Sequence, residues 1–246
     1  SEPDTIDPAL NSAVDGATLT AHLFSGLAAW SQDENGALTI VADCAADLPE
    51  PVANEDGTVT QELLLDEPNG IIRDPSLSMD ATYVVISKRS SMEHDNYHLW
   101  KMDLATKKLT QLTFEPTLPQ RFVPGQTNDF PLVCADTEPC VLPDGSIVFQ
   151  STRVCHSVDC WPLPTTNLYR CDPDGSHIRR IGFDQIQTFY PQLLEDGRIS
   201  YTRWEYQDRN ASGLQQLCCM NPDGTRQMGL FANNSEWPFS LIHCRG

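Results

Sequence analysis

Two kinds of tight turn recur along the chain, and they limit its fold more than any other feature. "SLSMDATYVVISKR" (76–89), "CVLPDGSIVFQSTR" (140–153) and "PQLLEDGRISYTRW" (191–204) share one form: a lead-in strand, a turn that is usually Asp-Gly, and a second strand. Between and after them lie "LWKMDLATKKLTQLT" (99–113), "LYRCDPDGSHIRRIG" (168–182) and "LCCMNPDGTRQMGL" (217–230), built on a second turn. The turn chemistry is legible. Pro143, Pro173 and Pro222 preset φ, aspartate side chains accept backbone hydrogen bonds, and glycine takes positive φ. Flanks such as "SIVFQST" and "RISYTRW" alternate or run apolar, as strands do. The first turn recurs from Gly145 to Gly197 and the second from Gly175 to Gly224, so one unit takes about 50 residues.

Two hairpins per unit make one four-stranded antiparallel sheet, and radial repetition of such sheets is a β-propeller. The expected class is all-β: a partial β-propeller of four-stranded blades over residues 61–246. Its blades fall near 71–114, 131–183 and 188–230, with the start of another at Trp237. This count falls short of a closed ring, which predicts a truncated propeller unless partner copies or the first sixty residues complete it.

A short α/β segment over residues 1–60 is expected ahead of the blades. Two X-Pro steps, Glu2-Pro3 and Asp7-Pro8, favour extended backbone. A helix is expected from about Ser12, which can cap, with Asp15 in the place of a capping-box glutamate. Leu19, Leu23, Leu27 and Trp30 then form an apolar stripe at helical spacing, widened by Phe24, and "ALTIVAD" (37–43) reads as a short strand. The charge breaks here too. Residues 1–60 hold 11 acidic residues and no Lys or Arg, whereas all 16 basic residues follow. That break predicts two segments of different origin.

The formal net charge of −18 makes phosphate backbones and anionic lipid surfaces poor partners, so neither nucleic acid nor membrane is expected. No apolar run reaches the roughly 18 residues of a spanning helix. Nine cysteines, eight of them after residue 60, suit an oxidising compartment, and Cys134/Cys140 and Cys155/Cys160 are the disulfide candidates. An extracytoplasmic location, periplasmic or secreted, is the expectation.

The first sixty residues resemble the mature start of periplasmic solute-binding proteins that serve peptide importers. The resemblance rests on Glu2-Pro3-Asp4-Thr5-Ile6-Asp7-Pro8, on Gly26-Leu27 and on "EDGTVT" (55–60). Peptide binding in that family needs a cleft between two lobes, and from Gln61 the pattern is abandoned. Residues 71–246 resemble the propeller of the Tol translocation system. More narrowly, they are similar to bacterial proteins related to the hydrazine synthase alpha subunit. "DNYHLWKMD" (95–103), "LPDGSIVFQSTR" (142–153), "DGRISYTRWEYQDR" (196–209), "MNPDGT" (220–225) and "NNSEWPFSLIHCRG" (233–246) carry that likeness. The resemblance implies the fold. That enzyme carries c-type haem, which is attached through Cys-x-x-Cys-His, and this motif does not occur here. No cofactor is expected.

Candidate site residues come from the blades. Arg153 and Arg203, 50 residues apart, read as equivalent positions after the inner strand of successive blades, with Trp204, Glu205, Asp208 and Arg209 following. Such positions around one face could grip a ligand or tie blades together by salt bridges. Cys155, His156 and Cys160 could hold a soft metal with Cys171 or Cys140 as fourth ligand, but the spacing is not a standard pair, and no metal site is expected. His98 matches a position of the hydrazine synthase-related proteins and reads as a tie between blade and loop; in a strand, His94 would stand about 13 Å from it, too far to share an ion, whereas a loop could fold back and bring the two together. No nucleophile–base signature or phosphate-cradling glycine loop occurs, so catalysis is not expected. The functional expectation is an exported binding or scaffold module for an unknown protein or small ligand. The alternatives are a redox subunit related to hydrazine synthase, and a periplasmic peptide-binding protein of an importer.

Overall fold

Strands form where turn chemistry and alternation place them. A computed structural model describes residues 28–32, 38–42, 63–91, 95–116, 134–158, 163–206, 215–231 and 240–242. Two compact units divide the chain, residues 1–63 and residues 64–246.

In the first unit, β1 (Ala28–Gln32) pairs antiparallel with β2 (Leu38–Ala42), from Ala28 opposite Ala42 to Gln32 opposite Leu38. The strand expected over 37–43 is present. Trp30, expected to end a helical stripe, instead lies in β1 opposite Ile40. The continuous short run Leu27-Ala28-Ala29-Trp30 is ambiguous between helix and strand, and here pairing with β2 holds the backbone of residues 28–32 in a ladder. Ser12, Asp15, Leu19, Leu23, Phe24 and Leu27 lie outside the described residues.

The second unit holds three four-stranded antiparallel sheets, each ordered as its strands follow in sequence. The first sheet has β3 (Ile71–Leu77), β4 (Tyr83–Arg89), β5 (His98–Asp103) and β6 (Leu109–Gln111). The second has β7 (Asp136–Val141), β8 (Ile147–Ser151), β9 (Asn167–Cys171) and β10 (Arg179–Arg180). The third has β11 (Gln187–Leu193), β12 (Ile199–Trp204), β13 (Gln215–Met220) and β14 (Met228–Phe231). A 3-10 turn at Thr152–Val154 is the only helical element among the described residues. Of the segment around Trp237, only residues 240–242 are described; Ser240 makes a parallel bridge to Gln215.

Alternation along the strands puts one sheet between two others. Ile147 and Phe149 of β8 pack with Val85 and Leu99 of the first sheet, while Val148 between them faces Ile199, Tyr201 and Met220 of the third. All of these except Tyr201, at 2% exposure, are wholly buried. Each contributes about 1.5–3 kcal/mol by leaving water.

Glycine in the second turn lets sheets approach. A Cβ on Gly175 would overlap the Leu112 carbonyl at the end of the first sheet's outer edge, and one on Gly224 would stand 2.6 Å from the Ile181 carbonyl at the same place in the second sheet. The turn of each later sheet thus rests on the sheet before it. In the first sheet, Ala81 and Lys107 take the positive φ that glycine takes elsewhere.

Each sheet's first strand also carries a bulge, between Arg73 and Ser76, Thr137 and Cys140, and Phe189 and Gln192. Asp74, Glu138 and Tyr190 occupy the bulges with φ of 53°, 54° and 56°, and each precedes a proline. A non-glycine residue in this left-handed region costs about 1–2 kcal/mol.

The cysteine pairing of 134 with 140 is corrected by the structure, since both are buried free thiols. Six steps of largely extended chain separate them, with about 3.3 Å of rise per residue, against a disulfide Cα span of about 4.4–6.8 Å. Cys140 sits in the core between the second and third sheets. Cys134 faces the Asp136 carboxylate at 3.6 Å instead. Cys160 lies outside the described residues, so its pairing with Cys155 does too.

Candidate functional site

The candidate residues fall into two ion-paired clusters, one apolar cluster that takes Trp204, and one exposed loop position. Arg153 lies in the 3-10 turn that Ser151 caps: the Ser151 hydroxyl accepts the Arg153 N–H at 3.1 Å. The turn swings the guanidinium back over β7. Arg153 Nε and Nη2 donate to the two oxygens of Asp136, at 2.9 and 2.6 Å, and Nη2 also donates to the Phe114 carbonyl. The Ser151 hydroxyl donates to Asp136 Oδ1 at 2.6 Å, and His98 Nδ1 stands 3.8 Å from Oδ2. The Asp136 side chain is wholly buried. Burial pushes its acidity down, but the facing His98 and Arg153 prevail and hold its pKa at about 2. His98, on β5, thus faces an acid of β7 across the first and second sheets, at a distance beyond hydrogen-bond reach.

Arg203 lies on β12 opposite Thr188 of β11. Its Nε donates to Asp184 Oδ1 at 2.7 Å, and its Nη2 is 3.3 Å from Glu205 Oε1. Gln216 Nε2 also donates to that Glu205 oxygen. Arg203 keeps 39% of its side-chain exposure and Glu205 30%. Asp184 is nearly buried, and its second oxygen, Oδ2, has no hydrogen-bond partner among the described residues. Burial raises its pKa, with Glu205 adding to the rise and Arg203 opposing it.

Arg153 and Arg203 are not equivalent, because the ladder sets a different register. Ser151 stands opposite Asp136, two residues before the bulge at Glu138; Arg203 stands opposite Thr188, two residues before the bulge at Tyr190. The counterpart of Arg203 is thus Ser151, and Arg153 sits beyond the strand in the place of Glu205. No ring of equivalent arginines follows.

Trp204 points away from its neighbours in sequence. It is 7% exposed, packs with Val158, Ile186 and Phe189, and stacks on Tyr206 at 5.7 Å between ring centroids. His156 is exposed, and its carbonyl, not its ring, is tied down, accepting the Thr165 N–H at 2.8 Å. The two proposed further ligands for a metal beside it, Cys140 and Cys171, belong to different apolar clusters. Burial pushes their thiols up to about 11 and about 12, which disfavours the thiolate a metal needs. His94, Asp208 and Arg209 lie outside the described residues.

The residues that sequence reasoning missed are Asp136 and Asp184, which give the two arginines their roles, and the bulge row Asp74, Glu138 and Tyr190. A signal for the row was present. "RDPS", "TEPC" and "FYPQ" each put proline one residue after the bulge, at the same place in each unit.

No protein-family model matches the chain, and no curated protein matches it. Among solved structures, a putative TolB from Agrobacterium tumefaciens is similar at 17% identity, covering 83% of this chain and 60% of that one, with a TM-score of 0.49. TolB from Acinetobacter baumannii is similar at 16% identity over 82% of this chain and 37% of that one, with a TM-score of 0.43. The AtxE2 isopeptidase in its apo form follows at 10% identity over 66% and 30%, with a TM-score of 0.40. The chain spans about three fifths of the length of the first of these structures.

Proposed function

We propose that the chain is a β-propeller module of the Tol type that binds a protein or a small ligand as an extracytoplasmic scaffold. The observation that supports this most is one junction made twice. β7 packs on β3, β4 and β5, and β11 packs on β7, β8 and β9, with a turn glycine closing each junction against the preceding sheet. Sheets twist with a fixed hand, so a junction repeated in this way turns the stack around an axis. Cys134, Cys140, Cys171, Cys218 and Cys219 are free thiols, so none of these five supports the disulfide argument for location. The extracytoplasmic reading rests on the resemblance to the Tol propeller.

The contact residues of this reading are Arg203 and Glu205. Arg203 is the more accessible of the two arginines, and its Nη2 meets Glu205 at the loose distance of 3.3 Å. A carboxylate on a ligand can replace Glu205 there with two parallel hydrogen bonds. The test is a thermal-shift panel of small carboxylates and a peptide pool on the whole chain and on Arg203→Ala. A shift in the wild type that the variant loses supports the site. A flat panel with the wild type sinks it.

A further inference from the structure

The bulge row places one buried carboxyl where three sheets meet. The Glu138 side chain is 8% exposed. Its backbone N–H donates to Asp74 Oδ2 at 3.2 Å and to Ser87 Oγ at 3.1 Å, both in the first sheet. Its Oε2 accepts the Tyr190 N–H of the third sheet at 2.7 Å. Glu138 itself belongs to the second sheet. One residue thus ties all three through two hydrogen-bond directions.

The groups that face it are few and opposed. From β3 come Asp74, a second acid with 18% side-chain exposure, and Arg73, whose Nη2 lies 3.5 Å from Glu138 Oε1. Arg73 is committed elsewhere: its Nε donates to Asp74 at 2.7 Å, and its guanidinium lies over the Tyr97 ring, which Arg89 also faces. From β11 comes Tyr190, and from β4 only the Ser87 hydroxyl. Among the described residues, the guanidinium that reaches Glu138 is that of Arg73, which also serves Asp74.

We propose that Glu138 is a proton-operated clasp: its neutral carboxyl holds the three-sheet junction closed, and its ionisation beside Asp74 loosens it. The Tyr190 N–H needs only a carboxyl oxygen, which the neutral acid supplies. The charged form adds a second anion to a site where one guanidinium already serves Asp74. Burial, with Asp74 adding to it and the Tyr190 N–H and Arg73 opposing, moves this group up to about 7. The sign follows from the raised value. The contribution of Glu138 is complete below its unfolded pKa near 4.3 and is lost as pH rises through about 7. The proposal does not depend on the ligand-binding reading of Arg203.

The test is urea denaturation of the whole chain from pH 5 to pH 8, for the wild type, Glu138→Gln and Asp74→Asn. Glutamine keeps the acceptor for Tyr190 and cannot ionise. The wild-type unfolding constant should rise roughly tenfold or more over this range relative to that of Glu138→Gln. If Glu138→Gln does not fold, Asp74→Asn carries the test, because removing the neighbouring charge should move the wild-type transition to lower pH. Amide exchange at Tyr190 should quicken through the same transition. Parallel wild-type and Glu138→Gln profiles, or an Asp74→Asn transition that stays in place, would overturn the clasp.

Discussion

Arg153 and Arg203 each hold a buried acid, and the two pairs differ in sign. Asp136 is wholly enclosed, and both its oxygens meet donors: the Ser151 hydroxyl, and Arg153 through two nitrogens. Asp184 is nearly as enclosed, yet only one of its oxygens meets the guanidinium. The first carboxyl is held at about 2 and the second is pushed up. Burial is common to both, so the number of donors that reach the oxygens decides the outcome. The comparison also separates a closed pair from one open to exchange. An arginine with 10% exposure and two bonds to one acid is a fixed part of the fold, while one with 39% exposure can exchange partners.

Asp136→Ala should break the contrast most. It leaves the Arg153 guanidinium buried without its acid, a loss that removal of one partner of a buried pair puts at about 3–5 kcal/mol. Urea denaturation at neutral pH measures it. A loss below about 1 kcal/mol would mean that the two clusters are alike after all.

Stability against pH should then run in opposite directions for the two acids. The depressed Asp136 contributes fully above the unfolded aspartate value near 3.9, and that contribution drains away as pH falls toward 2. The wild type's advantage over Asp136→Asn should therefore shrink between about pH 5 and pH 2. The raised Asp184 does the reverse. Its contribution is present below the unfolded value and is lost as pH rises through the folded one, so the wild type should gain on Asp184→Asn as pH falls. Two gaps closing in the same direction would remove the distinction.

The reason the sequence showed the sheets and not these pairs lies in the range of the interactions. Asp-Gly turns and alternating flanks act within a few residues, so the hairpins from Ile71 to Phe231 could be read directly. Arg153 and Asp136 stand on different strands, and Arg203 meets an acid from the connection between two sheets. Such partners are chosen by register, which the bulges at Glu138 and Tyr190 reset by one residue in each first strand. Counting 50 residues along the chain therefore matched Arg153 with Arg203, where the ladder matches Arg203 with Ser151. Trp204 failed for a related reason. Successive strand residues face opposite ways, so a neighbour of Arg203 in sequence need not share its site. Cysteine number, likewise, carries no information about which face of a strand a thiol takes, and Cys140 and Cys171 went to separate cores.

Asp184→Asn should have a smaller effect than Asp136→Ala, within about 1 kcal/mol at neutral pH. The asparagine loses the attraction to Arg203 but also ends the burial of a carboxyl oxygen, Oδ2, with no described partner. Thermal denaturation at pH 7 measures the balance. A loss as large as that of Asp136→Ala would show that Oδ2 has a donor after all.

The smallest effect on stability should come from Arg203→Ala. Its guanidinium is well exposed, and solvent-exposed ion pairs contribute about 0–1 kcal/mol. Removing it takes away the positive charge that opposes the rise of Asp184, so that carboxyl should move further up and bind its proton at still higher pH. The guanidinium side of the pair is open to water, which is why the fold should tolerate the loss. Binding should not: a ligand carboxylate that exchanges with Glu205 has nothing left to meet. Near-wild-type melting together with lost ligand response would place Arg203 on the functional side of the comparison. Destabilisation of several kcal/mol would move it to the side of Arg153, as a support of the third sheet whose exposure serves no ligand.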